Sequence, residues 1–143
     1  MKYGLRSTVF ACVGVIVAGC ASAGGRTADR LESQKPWSLQ QLLGSSVAGY
    51  PGTAFLKFED GTHMSGSGGC LPLIGEYARS GNDLKFSQLE SRFSGGAGAC
   101  AKYNSQQRDF VIALRGTRSY RIEKNQLYLL SDSATTLAVL TMM

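Results

Sequence analysis

Three short turn signals constrain the fold of this chain more than any other feature. Glu59-Asp60-Gly61, Ser80-Gly81-Asn82 and Lys124-Asn125 each separate two runs of β-like residues. Asp-Gly is a strong hairpin signal because the tight turn needs positive φ, which aspartate tolerates and glycine adopts freely. The flanking runs are residues 53–58 and 62–66, 74–79 and 83–89, and 119–123 and 126–130. A run at 37–43 opens the series and one at 136–142 closes it. Phe55 and Leu56 are adjacent and break the alternation, so the facing of that strand stays open. One segment departs from the pattern. Tyr103, Gln107, Phe110, Val111 and Leu114 recur at helical spacing, which predicts a helix between Asn104 and Arg115. Asn104 and Gln107 have the spacing of a capping box, and Gly116 suits the stop. The expected fold is mainly β (α+β), an antiparallel sheet with one helix inserted before its last three strands.

The amino terminus reads differently. Lys2 and Arg6 precede an uncharged, mostly apolar stretch from Thr8 to Ala18, followed by Gly19 and Cys20. That order of basic start, apolar core and small residues is that of a secretory signal. The stretch is shorter than the ~20 apolar residues that span a bilayer, and nothing downstream is long and apolar enough to replace it. Val17-Ala18-Gly19-Cys20 resembles the bacterial lipobox, which implies lipid on the Cys20 thiol, cleavage before it, and acylation of the new amine. Each buried CH₂ contributes ~0.8 kcal/mol, and two or more chains hold stably where one is marginal. An ordinary signal peptide with a chance cysteine is the competing reading. Residues 1–19 are thus expected to be removed, and Cys12 with them. The polar stretch that follows, through Lys35, is expected to be a tether (residues 20–35), and Pro36-Trp37 to open a folded domain (36–143). Ala21 and Ser22 stand where lipoproteins retained at the Gram-negative inner membrane often carry aspartate. The expected location is the cell envelope, on the periplasmic face of the outer membrane if the source is Gram-negative.

The formal charge is +5. Without Lys2 and Arg6, thirteen basic residues face ten acidic ones, a mild +3. Basic residues are scattered, and no nucleic-acid motif or basic stripe accompanies them. Once Cys20 is acylated, Cys70 and Cys100 remain, and two thiols in an oxidising compartment invite one disulfide. A pair of buried free thiols is the alternative. Catalytic and metal chemistry are hard to assemble. His63 is the only histidine, no serine sits in a Gly-x-Ser-x-Gly elbow, and Cys70, Cys100 and His63 would make a three-ligand site only with reduced thiols. Glycine clusters at Gly66-Ser67-Gly68-Gly69 and Gly95-Gly96-Ala97-Gly98 precede the two cysteines but lack the Gly-Lys-Ser/Thr of a phosphate loop. They read as places of sharp turning or close backbone approach. No catalytic residue, cofactor or metal is expected.

The order of motifs resembles the META domain, the HslJ-like family of small bacterial envelope proteins, over Trp37 to Leu140. The resemblance rests on Trp37-Ser38-Leu39, Phe58, Gly61, Gly69-Cys70-Leu71, Gly75-Glu76-Tyr77 and Ala99-Cys100. It continues through Gln107-Arg108-Asp109-Phe110 with Leu114, then Tyr120-Arg121-Ile122 and Leu127-Tyr128-Leu129. Leu71 stands where relatives carry Asn, Gln107 where they carry Glu, and Gly98 where Met is common. The resemblance implies a small barrel-like β fold and no established enzymatic activity. Relatives are linked to heat-inducible expression, antibiotic resistance and, in some parasites, virulence. The expectation is a non-enzymatic envelope domain for stress protection or protein interaction. The alternative is a carrier of a lipid or hydrophobic ligand in the barrel interior, as suggested by a similar barrel in a lipid-binding pilot lipoprotein.

Overall fold

A computed structural model describes residues 30–47, 49, 53–92 and 100–143. The signal segment, Cys20, the start of the tether and the second glycine cluster lie outside the described residues. The strands are β1 (Trp37–Leu42), β2 (Ser45–Ser46), β3 (Ala54–Phe58), β4 (His63–Gly68), β5 (Pro72–Ser80), β6 (Asp83–Ser91), β7 (Ser119–Glu123), β8 (Gln126–Leu130) and β9 (Thr136–Met142). All pairings are antiparallel; β3 to β9 pair in chain order, and β1 pairs with both β3 and β9, so the sheet closes into a ring. The two-residue β2 extends β1 through a tight turn at Leu43 and Gly44, both with positive φ. The β6–β7 seam is the slightest, with Asp83 opposite Ser119 as its register pair. Backbone bonds Leu84 N–H to Arg118 O and Tyr120 N–H to Asn82 O fasten it at 3.0 and 2.9 Å.

The predicted hairpins at Asp60-Gly61, Gly81-Asn82 and Lys124-Asn125 form, with Gly61, Gly81 and Lys124 taking the positive φ that the turns need. In β3 the open question of facing resolves by simple alternation. Ala54, Leu56 and Phe58 are buried, while Phe55 and Lys57 point outward and are half-buried. The interior is filled by side chains from the strands, among them Trp37, Leu56, Phe58, Leu84, Tyr120 and Leu127, each essentially inaccessible. Phe58 meets Tyr77 edge-to-face with ring centroids 4.9 Å apart, and Phe86 lies at 6.1 Å.

The helix α1 (Asn104–Gly116) follows a 3₁₀ turn at Ala101–Tyr103. It touches β1, β4, β6, β8 and β9, strands from around the ring, and so lies across one end of the barrel. Phe110, Ala113 and Leu114 are its inward face, all fully buried. Two details of the predicted helix differ. The expected capping box is not formed. Tyr103 occupies the N-cap with no side-chain bond, because the chain enters through the 3₁₀ turn, with Tyr103 N–H bonded to Cys100 O. Gln107 instead turns away from its own backbone to the strand ends. At the other terminus, Thr117 Oγ1 donates to Ala113 O at 2.8 Å as the chain turns extended.

The opposite end of the barrel is covered by residues 30–36. Most of that stretch was expected to be tether, yet Leu31 is fully buried in the core. Trp37 Nε1 donates to Leu31 O at 3.3 Å, Arg30 bonds the Lys124 carbonyl, and Glu32 accepts from Tyr77 Oη at 3.1 Å and pairs with Arg79 Nε at 3.2 Å. One leucine carries the stretch into the core, and a single apolar residue leaves no period for a pattern to catch.

Candidate functional site

With both ends covered and the interior filled, the recessed surface of interest is on the outer wall. A hollow of about 440 Å³ lies over β4, β5 and β6, lined by Glu59, His63, Ser65, Ile74, Glu76, Gln88 and Glu90, with Met64 and Gly75 beneath. It arises from a break in register. Ile74 pairs with Glu90 but Glu76 pairs with Ser87, so two residues of β6, Gln88 and Leu89, oppose Gly75 alone. This is a β-bulge, which bends the strand and re-aims side chains. Gln88 takes φ 51°, an unusual conformation for a residue with a side chain. Gly75 packs closely there: a Cβ would stand 2.7 Å from Leu89 Cδ2 and 3.0 Å from both Met64 Sδ and Ser87 O.

The rim is acidic. Glu59 accepts from Ser65 Oγ at 2.6 Å and pairs with Lys57 at 3.0 Å. The Ser65 bond, then Lys57, holds its carboxyl below the usual carboxylate range. Among the described residues, Glu76 and Glu90 have no ion-pair partner. In the adjoining turn, Asp60 accepts from the backbone N–H groups of His63 and Thr62 at 2.9 and 3.2 Å, and its carboxylate contacts His63 Nδ1. These bonds, the His63 backbone first, push the Asp60 carboxyl far below its usual value. His63 is thus an exposed residue at the start of β4, tied to Asp60 in the turn before it. No group of three or more His, Cys, Asp or Glu residues with metal-holding geometry occurs among the described residues.

The other residues singled out by sequence are placed elsewhere. Cys70 and Cys100 form a disulfide, with Cα atoms 5.7 Å apart, that ties the β4–β5 loop to the 3₁₀ turn before α1. The first glycine cluster allows close approach, as expected. At Gly66 a Cβ would meet Phe55 O at 2.5 Å, and at Gly68 it would meet Gln107 Cα and Oε1 at 2.6 Å. Gln107 Oε1 accepts from Gly68 N–H at 2.6 Å and its Nε2 donates to Ser91 Oγ at 3.0 Å. Leu71, where the resemblance led one to expect Asn, lines a second hollow beside α1 with Arg108, Val111 and Ile112. Glu76, Gln88 and Glu90 were not singled out as a site. Their outward facing follows from strand alternation, but the bulge that gathers them has no sequence signal beyond Gly75.

The fold has counterparts among solved structures. The barrel is similar to an NMR structure of a protein from Burkholderia xenovorans, with TM-score 0.59 and 21% identity over 81% of this chain and 87% of that one. It is also similar to a crystal structure of a DUF4847 family protein from Bacteroides vulgatus, with TM-score 0.57 and 13% identity over 80% and 96% of the two chains. At such identities the likeness shows the fold. No curated protein matches the chain. The META domain family model matches residues 29–143, starting beside Arg30, where the described barrel cover begins. The chain belongs to the META domain family.

Proposed function

We propose that this protein is an exported lipoprotein, held on a membrane of the cell envelope by lipid on Cys20, whose META domain is a non-enzymatic module that binds a protein partner on its outer wall. The observation that carries the reading is the filled and doubly covered barrel. Trp37, Phe58 and Phe110 are fully buried inside it, Leu31 covers one end and α1 the other. A hydrophobic cargo would need that space, so the packing favours recognition on the outside over carriage within. A structural part for His63 is supported by its place at the start of β4, where it, the Thr62 hydroxyl and Asp60 are all exposed and bonded to one another across the hairpin turn. The anchor is supported by the register of basic start, apolar core and Val17-Ala18-Gly19-Cys20. Cys20 and Arg30 are ten chain steps apart, a reach of at most about 35 Å. The barrel end covered by residues 30–36 therefore stays near the membrane.

The test is fractionation of cells producing the wild type or Cys20→Ser. The wild type should sediment with membranes, and the variant should be released as a folded soluble protein. Equal membrane retention of a correctly cleaved variant would refute the anchor.

A further inference from the structure

We infer that the hollow over β4–β6 is the docking groove for a basic segment of a partner polypeptide, one that presents a lysine or arginine beside an aliphatic side chain. This deepens the reading above and rests on its claim that the outer wall is the working surface. The groove has a built shape: the bulge of β6 opposite Gly75 and the positive φ of Gln88 bend the wall between three strands. Its floor is apolar, with half-buried Ile74 over the buried Met64. Its rim carries Glu76 and Glu90, which have no ion-pair partner among the described residues, and Glu59, which is paired with Lys57. An aliphatic floor under a carboxylate rim fits a side chain with an apolar stem and a cationic head, which lysine and arginine have. A volume of about 440 Å³ accommodates a few side chains rather than a folded domain.

Charge chooses the occupant. Without its first nineteen residues the chain is still mildly basic, at +3 (13 − 10), yet this face is acidic. Anionic lipid and nucleic acid are repelled from it, while a basic segment is steered towards it. A bare metal ion is disfavoured, since no three carboxylate, histidine or cysteine groups among the described residues converge to hold one.

The experiment uses the full protein as isolated from cells, in detergent, with two fluorescent probes: a short peptide of alternating lysine and leucine, and its counterpart of alternating glutamate and leucine. The basic peptide should bind at micromolar concentration and the acidic one about tenfold more weakly or worse. Glu76→Gln with Glu90→Gln, two exposed isosteric changes that keep the fold, should weaken the basic peptide about tenfold. High salt should do the same to the wild type. Equal binding of the two peptides, an unchanged affinity in the double variant, or no binding at about 100 µM would overturn the proposal. So would self-association of the wild type that the double variant abolishes while the peptides stay unbound, which would assign the groove to a second copy. Release of the Cys20→Ser protein from membranes is unaffected by any of these results, so failure of the groove leaves the anchor reading standing.

Discussion

Gly68 and Gln107 show how single residues decide where the helix sits on the barrel. The absent side chain at Gly68 lets the α1 backbone approach, and Gln107 then satisfies the strand-end N–H that the approach buries. Gly68→Ala places a Cβ 2.6 Å from backbone and should destabilise the domain by about 1–3 kcal/mol in urea unfolding, through overpacking. Asp60 acts at the same scale, but through charge. Its folded pKa is depressed, so its contribution to stability is present above the ordinary carboxylate value of about 4 and is lost as pH falls below it. Asp60→Asn keeps the turn's acceptor and removes the charge. In thermal melts the wild type should be the more stable at pH 6, and the gap should narrow between about pH 5 and pH 2. A constant gap would mean that the charge plays no part. The close approach of the glycine cluster was legible in the sequence. The role of Gln107 was not, because its spacing from Asn104 suits a local cap equally well and only the tertiary contact decides between them.

Elements were legible where the sequence supplies local chemistry. β7, β8 and β9 match the expected runs, because short turns and alternating side chains specify them without help from the rest of the molecule. β4, β5 and β6 extend two or three residues beyond expectation, since glycine, serine and proline at their ends pair as strand once a neighbour is present. The bulge of β6 against β5 and the cover formed by residues 30–36 escape a pattern reading for one reason. Both depend on what lies across the barrel rather than on periodicity. The cover is nevertheless part of the domain. Leu31→Ala should cost about 2–5 kcal/mol in denaturant unfolding, as for a fully buried leucine. A cost below about 0.5 kcal/mol, the range of surface changes, would return these residues to the tether.

At the scale of the whole molecule, the closed sheet, helix and cover enclose an interior filled by apolar side chains. The Cys70–Cys100 link closes a loop of 30 residues across the helix-bearing end, a constraint of roughly 3–4 kcal/mol in the chain-entropy model. That end carries α1, so the disulfide secures the helix cover, opposite the end closed by residues 30–36. The claim that joins export, anchor and domain is a covalent one. It is tested most directly by mass spectrometry of the intact protein extracted from envelope membranes, with peptide mapping of its amino terminus. The account predicts a chain beginning at Cys20 and carrying both a diacylglycerol on its thiol and an acyl group on its amine. A mature chain with an unmodified Cys20, or one cleaved beyond it, would contradict the account.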